Sequence, residues 1–129
     1  MIRAVLEGVA FSQKECLDVF AQMGVCINDM TLCGGGSRSA LWRRILADLY
    51  GCPVKTLRAD EGGALGAAIL AGVCSGVYSS LEQACGAIIK KKEPVMPDEQ
   101  HLREYEPYFE LYKKLYTELL AEFTELARI

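Results

Sequence analysis

The amino-acid sequence predicts an α/β fold, with few parallel strands flanked by helices and a long C-terminal helix. Two short apolar segments, 30–33 and 54–57, have the length and composition of strands. Segments with apolar residues at helical spacing precede, separate and follow them. Because this alternation is typical of parallel sheets covered by helices, we expect the two strands to lie parallel. The 129 residues, half of them hydrophobic, suit a single domain.

The first half of the chain predicts two helices around the first strand. A helix is expected over about 2–23, ended by Gly24. Residues 30–33 are expected to form a short buried strand, and Ser37 to cap the next helix, which Gly51 ends. Three charged residues of this second helix are expected to face solvent: Arg43, Arg44 and Asp48.

A helix crowded with small residues is predicted over 62–72, directly after Asp60 and Glu61. The two acids complement the positive end of the helix dipole. Small side chains let another element approach closely, at some cost in helix propensity. The pattern leaves two interpretations open: a tightly buried core helix, or a helix that packs against a partner at a moving joint.

The last third of the chain predicts two more helices joined by a polar connector. A short helix is expected over 80–89, a solvated connector over 90–93, and a final helix over 107–127 with Pro107 in its first turn. Four tyrosines in and beside this last helix are expected to pack at the core and its edge: Tyr105, Tyr108, Tyr112 and Tyr116. Two strands are too few for a stable sheet, so we expect further chain to complete it.

Composition excludes several classes of function. A net charge of −3 does not favour nucleic acid or a membrane surface, and no apolar run reaches the ~18 residues of a membrane span. No metal site is expected, because no two cysteines form a C-x-x-C pair and the chain has one histidine. The six cysteines are Cys16, Cys26, Cys33, Cys52, Cys74 and Cys85. We expect them to be free thiols in a reducing cytoplasm, and several of them to be buried like small hydrophobic residues.

Three consecutive glycines, Gly34, Gly35 and Gly36, lie between the first strand and the second helix. Glycines suit a sharp turn or a backbone that lies against a ligand with no Cβ in the way. A helix that begins just beyond them offers free N–H groups and a positive dipole end. The stretch therefore suits an anionic ligand such as a nucleotide, although a turn that merely joins strand to helix has the same pattern.

Two other classes of function fit the same stretch. The spacing Gly34-x-Gly36-x-x-Ser39 resembles a dinucleotide fingerprint, and Asp60 lies near the place of the acid that binds the ribose in such folds. A piece of an oxidoreductase is therefore one alternative. A regulatory or scaffold α/β domain without a ligand is the other.

Three blocks of the chain resemble the C-terminal lobe of the FGGY family of carbohydrate kinases. They lie in the order and at the gaps of that family, and the resemblance extends over nearly the whole chain. The blocks are RAVLEGVAF over residues 3–11, GGGSRS from Gly34 with Trp42-Arg43 and Leu46-Ala47-Asp48 behind it, and EGGALGAA over residues 61–68.

The resemblance implies a partial ribonuclease-H-like ATPase lobe of the actin and hexokinase superfamily. It implies a sugar substrate, with ATP and Mg²⁺ bound by the full-length enzyme. By residue, Gly34, Gly35 and Gly36 would lie against the adenosine and its phosphates. Ser39 would occupy the position from which some relatives contact adenine with asparagine. The helix over 62–68 would match the second connecting motif, where the two lobes hinge.

Other motifs of the family have no match in these residues. They are the N-terminal phosphate loop, the sugar pocket, the catalytic aspartate and the second phosphate loop. We therefore expect a C-terminal fragment, 1–129, that is inactive on its own and whose partner is the missing N-terminal lobe. Exposed apolar surface made for that lobe would favour a homo-oligomer. No catalytic residue and no metal ligand are assigned.

Overall fold

The computed structural model describes residues 1–58 and 62–129. Its helices and strands alternate as predicted, which confirms the α/β class of this part of the chain. In chain order the elements are α1 (Ile2–Gln22), β1 (Met30–Leu32), a 3₁₀ turn (Gly35–Arg38), α2 (Ala40–Tyr50), β2 (Val54–Thr56), α3 (Gly62–Cys74), α4 (Leu81–Ile88), α5 (Glu99–Glu118) and α6 (Leu120–Leu126).

Strands β1 and β2 pair in parallel, as predicted, with Met30 opposite Val54. A further segment extends this pairing along the other side of β2. Val54 and Val95 exchange two backbone hydrogen bonds, of 3.0 and 2.9 Å, and the N–H of Lys92 donates to the carbonyl of Thr56 at 2.8 Å. The segment 90–93 is therefore not a purely solvated connector. Its lysines and the following proline concealed the pairing, because neither residue type is typical of strands.

The core lies where α1, α2 and α5 meet. Helix α2 buries Ile45 and Leu46 almost completely, each 1% exposed, against α1 and the sheet. The ring of Phe11 in α1 lies 5.7 Å from that of Phe109 in α5. Strand β1 is less buried than predicted, since Thr31 is exposed and its neighbours are half-buried. Among the described residues β1 has a paired strand on one side alone.

Helix α2 begins two residues later than predicted. The cap is Ser39, whose Oγ accepts from the backbone N–H of Trp42 at 3.2 Å, so the prediction of Ser37 as the cap was wrong. The intervening 3₁₀ turn moves the helix start along the chain and buries Ser37. At the other end Gly51 adopts φ +67°, the left-handed conformation that ends helices, as predicted.

Asp48 was predicted on the solvent face of α2, and the structure contradicts this. Its side chain is 3% exposed, and one carboxylate oxygen accepts from the backbone N–H of Asp98 at 2.9 Å. The start of α5 packs on this side of α2, so the carboxylate meets partners that are distant in sequence. The hydrogen bond from Asp98 helps to compensate for the burial of this carboxylate.

Helix α5 begins well before the predicted residue 107. Asp98 caps it by accepting from the backbone N–H of Gln100 at 2.8 Å, so Pro107 lies inside the helix. The helix continues past this proline, which supplies no N–H. Of the four tyrosines, Tyr105 and Tyr112 pack against the core, as predicted, whereas Tyr108 and Tyr116 are exposed. From residue 114 to the end every residue is exposed.

Helix α3 is not the buried core helix of the first interpretation. Ile69 is its buried residue, and the helix packs against α4. A Cβ at Gly72 would lie 2.9 Å from the ring of Tyr78, so this glycine allows the segment after α3 to fold back onto it. Asp60 and Glu61, predicted as acids at the start of the helix, lie outside the described residues.

The six cysteines are free thiols, and the prediction that several are buried was wrong. Cys52 is buried, Cys85 is half-buried and the other four are exposed: Cys16, Cys26, Cys33 and Cys74. An apolar neighbour in sequence does not ensure burial when a helix has a solvent face. Within residues 1–58 and 62–129, no helix combines the length and apolarity needed to cross a membrane.

Candidate functional site

The three predicted glycines form the exposed turn between β1 and α2. Gly34 adopts φ +81° and ψ −176°, a conformation open to glycine and strained for other residues. Its carbonyl accepts from the N–H of Ser37 at 3.0 Å, and the carbonyl of Gly36 accepts from the N–H of Ser39 at 3.1 Å. The backbone therefore turns through one short 3₁₀ segment at the carboxyl end of β1. We call residues 34–39 the glycine turn.

Each glycine of this turn stands in a different environment. Gly34 is required by its positive φ, and at Gly36 a Cβ would lie 3.2 Å from the indole of Trp42. At Gly35 neither reason applies, because its φ is outside the positive range and a Cβ would meet no atom within 4 Å. All three are exposed to solvent. Gly35 therefore presents bare backbone to open space.

The fourth predicted binding residue, Ser39, lies in the same turn. Its Oγ is already the acceptor in the cap of α2, while its hydroxyl hydrogen remains able to donate. The structure thus brings the four predicted residues together within one turn of chain.

The electrostatic surroundings of the glycine turn favour an anion. The glycine turn lies directly before the N-terminus of α2, an 11-residue helix with no acidic residue in its first turn. The guanidinium of Arg43 reaches back from α2 and donates to the carbonyl of Ser37 at 2.6 Å. Sequence reasoning placed Arg43 on the solvent face and missed this contact, since a bond between residues six apart follows no helical spacing.

A groove of about 300 Å³ between α1 and α5 is a weaker candidate. Four of its charged side chains form two ion pairs: Lys14 with Asp18 at 2.8 Å, and Lys113 with Glu110 at 2.5 Å. The hydrogen bond to the carboxylate of Glu110 also raises the pKa of Lys113. These two ion pairs reduce the charge that the groove offers to a ligand.

The described residues contain no grouped metal ligands, and the acid predicted for the dinucleotide alternative lies outside them. Across residues 1–58 and 62–129, no three His, Cys, Asp or Glu side chains are grouped to hold a metal ion. Asp60, which would bind a ribose in the oxidoreductase alternative, lies outside these ranges.

Comparisons with a family model and with individual proteins agree on one family for this chain. Residues 1–75 match the model of the C-terminal domain of the FGGY family of carbohydrate kinases. Xylulose kinase of Bacillus subtilis (strain 168) is 34% identical over 116 residues, which are 90% of this chain and 23% of that protein. Autoinducer-2 kinase of Yersinia pestis (strain Pestoides F) is 32% identical over 121 residues, 93% of this chain and 23% of that protein.

A solved structure shows the same arrangement of elements. The crystal structure of xylulose kinase from Rhodospirillum rubrum superposes with a TM-score of 0.79 at 28% identity, over 94% of this chain and 25% of that one. The chain therefore spans about a quarter of the length of the relatives that it matches.

Proposed function

Since this chain belongs to the FGGY family of carbohydrate kinases, we propose that it is part of an ATP-dependent sugar kinase and binds the adenosine end of the nucleotide. The observation that carries this proposal is the glycine turn, where Gly35 presents backbone to open space at the start of a helix. An adenosine can lie against such a surface without meeting a side chain. The N-terminus of α2 would then face the phosphates.

D-xylulose is the sugar that we propose, converted with ATP to D-xylulose 5-phosphate and ADP. The sequence blocks resemble xylulokinase, and relatives with that name match most of this chain. The similarity to an autoinducer-2 kinase supports a second candidate, autoinducer-2 as the substrate. A panel of sugars offered to a full-length enzyme that contains this chain would distinguish the two.

In this reaction class a base takes the proton of the sugar hydroxyl, whose oxygen attacks the γ-phosphorus while ADP leaves. We assign no base to this chain; its residues would bind and orient the nucleotide. Mg²⁺ neutralises phosphate charge in such transfers. We assign none of the described residues as its ligand; they group no three His, Cys, Asp or Glu side chains.

Helix α3 is the proposed half of the hinge between the two lobes. In the run Gly62–Ala68, six of the seven residues are Gly or Ala, and most of the helix surface is exposed. Small side chains would let a helix of the other lobe approach and slide as the lobes close around the substrates. Closure excludes water, which would limit wasteful hydrolysis of ATP.

We propose the cytoplasm as the place of action, where thiols stay reduced. The six free cysteines are compatible with this, since four of them are exposed and unpaired with one another.

Calorimetric titration of the 129-residue chain with ADP and, separately, with NADH tests the proposed function. The kinase proposal expects saturable binding of ADP and none of NADH. Binding of NADH in preference to ADP would favour the oxidoreductase alternative. No binding of either would overturn the nucleotide-binding role of the glycine turn and favour the scaffold class.

A further inference from the structure

We propose that Arg43 is a positioning residue, which locks the glycine turn into its nucleotide-binding shape before any nucleotide arrives. This inference rests on the proposed function, because it assigns a role within the same site. Arg43 would act through the backbone of Ser37 and would not need to contact the nucleotide itself.

The geometry of Arg43 carries the inference. Its Nη1 donates to the carbonyl of Ser37 at 2.6 Å, and its own backbone N–H donates to the carbonyl of Ser39 at 3.1 Å. The side chain of Arg43 therefore binds one carbonyl of the glycine turn, while its N–H makes the first i→i−4 bond of α2, as any residue at this position would. The contact with Ser37 joins a charged donor to a carbonyl, which is stronger than a neutral hydrogen bond. It is also partly shielded from water, since Arg43 is half-buried and Ser37 is 5% exposed.

Ser37 is the point at which this restraint has most effect. Its N–H already closes the turn onto the carbonyl of Gly34, so the bond from Arg43 holds the next peptide group as well. Three consecutive glycines have more backbone freedom than any other tripeptide. A turn that is left free would have to lose that freedom when the nucleotide binds, and this loss would weaken binding.

Trp42, the neighbour of Arg43, supports the turn from a second side. Its indole lies where a side chain on Gly36 would be, 3.2 Å from the position of that Cβ, and it packs against the hydrophobic core. Trp42 and Arg43, consecutive residues of α2, thus both contact the glycine turn: Trp42 with its indole ring and Arg43 with its guanidinium. Trp42 is also the single tryptophan of the chain, so its fluorescence reports on this site.

Three variants of the 129-residue chain test the inference: Arg43→Met, Arg43→Lys and a control, Arg103→Met. Arg103 lies on α5 with a side chain 78% exposed, so its loss should leave the site unchanged. Affinity for ADP is measured by calorimetry, folding by far-UV circular dichroism, and the turn by Trp42 emission without nucleotide.

We expect Arg43→Met to weaken ADP binding roughly tenfold, as the loss of a charge-assisted hydrogen bond implies, and to shift Trp42 emission to the red. Arg43→Lys should restore most of the affinity, since an ammonium can still reach the Ser37 carbonyl. Arg103→Met should bind ADP within about twofold of the unaltered chain.

Two results would contradict the proposals, and they can be told apart. If the unaltered chain binds ADP and folded Arg43→Met binds it equally well, the positioning role is wrong and the proposed function stands. If the unaltered chain does not bind ADP, the proposed function fails and this inference fails with it. Should Arg43→Met not fold, Arg43→Ala, which also lacks a side-chain donor, replaces it, and unchanged ADP affinity in that variant overturns the positioning role.

Discussion

Oδ2 of Asp48 in α2 lies 2.9 Å from Nδ1 of His101 in α5, a residue 53 positions further along the chain. The other carboxylate oxygen accepts from the backbone N–H of Asp98 at 2.9 Å. A single buried carboxylate therefore joins the helix that carries the glycine turn to the start of α5. Each of its two oxygens has a partner, which offsets the cost of removing the group from water.

Substitution of Asp48 should be strongly destabilising. Asp48→Ala would leave the N–H of Asp98 and the ring of His101 without their acceptor, and we expect a loss of about 3 kcal/mol of unfolding free energy. Urea denaturation followed by circular dichroism measures it. Asp18→Ala is the control, because that carboxylate is 37% exposed in a surface ion pair and should cost less than ~1 kcal/mol. Equal effects of the two substitutions would show that the Asp48 contacts do not hold α5.

Gly35→Val should weaken nucleotide binding without unfolding the chain. A Cβ here meets no atom within 4 Å, so the folded protein has room for the side chain. A bound adenosine would collide with the valine side chain. Such overpacking costs ~1–3 kcal/mol, which corresponds to about a tenfold loss of ADP affinity. Gly86→Val on α4, also in open space, is the matched control. Unchanged affinity for ADP in Gly35→Val, measured by calorimetry, would contradict the assignment of the adenosine site.

ADP should protect Cys33 from alkylation. Cys33 is exposed and directly precedes Gly34, so a nucleotide on the glycine turn would shield its thiol. Cys16 on α1 is also exposed and should react at the same rate with and without ADP. Cys52 should react slowest in both conditions, because burial raises the pKa of its thiol and lowers its thiolate fraction. Peptide mass spectrometry after timed iodoacetamide treatment measures the three rates; equal slowing of Cys16 and Cys33 by ADP would argue against a local site.

The cap of α5 should make stability dependent on acid pH. Hydrogen bonds from the backbone N–H groups of Gln100 and His101 lower the pKa of the Asp98 carboxyl below its ordinary 3.8. Because the folded-state pKa is the lower one, the contribution of Asp98 is present above the unfolded value and is lost as pH falls through the folded value. Asp98→Ala should therefore lower the urea midpoint near neutral pH, and its difference from the unaltered chain should shrink below pH 3.8.

Asp98→Asn is the control for that pH dependence. Asparagine caps helices about as well as aspartate and does not titrate. Its difference from the unaltered chain should therefore be small near neutral pH. As pH falls through the folded pKa of Asp98, the unaltered chain should lose stability relative to Asp98→Asn, because only the aspartate is protonated. A deficit in Asp98→Ala that is constant from neutral to acid pH would show that the charge of Asp98 does not contribute.

The chain should self-associate as its concentration rises. Large apolar side chains are exposed over the last helices, among them Leu115, Leu119 and Phe123, each between 40 and 47% exposed. Burial of such surface is favourable by about 25 cal/mol per Å². Sedimentation velocity over a concentration series should show a rising weight-average coefficient. A monomer at every concentration would contradict this expectation.

Local chemistry made several features predictable. The strand before the three glycines, the left-handed Gly51 after α2, and the parallel order of the strands follow from short-range rules on backbone conformation and alternation. Side-chain burial was less predictable. Asp48 looks like a surface acid in sequence, and Cys33 looks like a buried thiol, and each has the opposite exposure.

The sequence by itself determined the fold class, the family and the position of the glycine turn, because these depend on the order of motifs and on residues adjacent along the chain. The tertiary structure decided what holds that turn and what anchors α5. Arg43 reaches the carbonyl of Ser37 once the 3₁₀ turn and α2 have formed, and Asp48 meets Asp98 and His101 once α5 packs against α2. Such contacts join residues at separations that no helical or strand period marks, so they exist as patterns in space and not in the sequence.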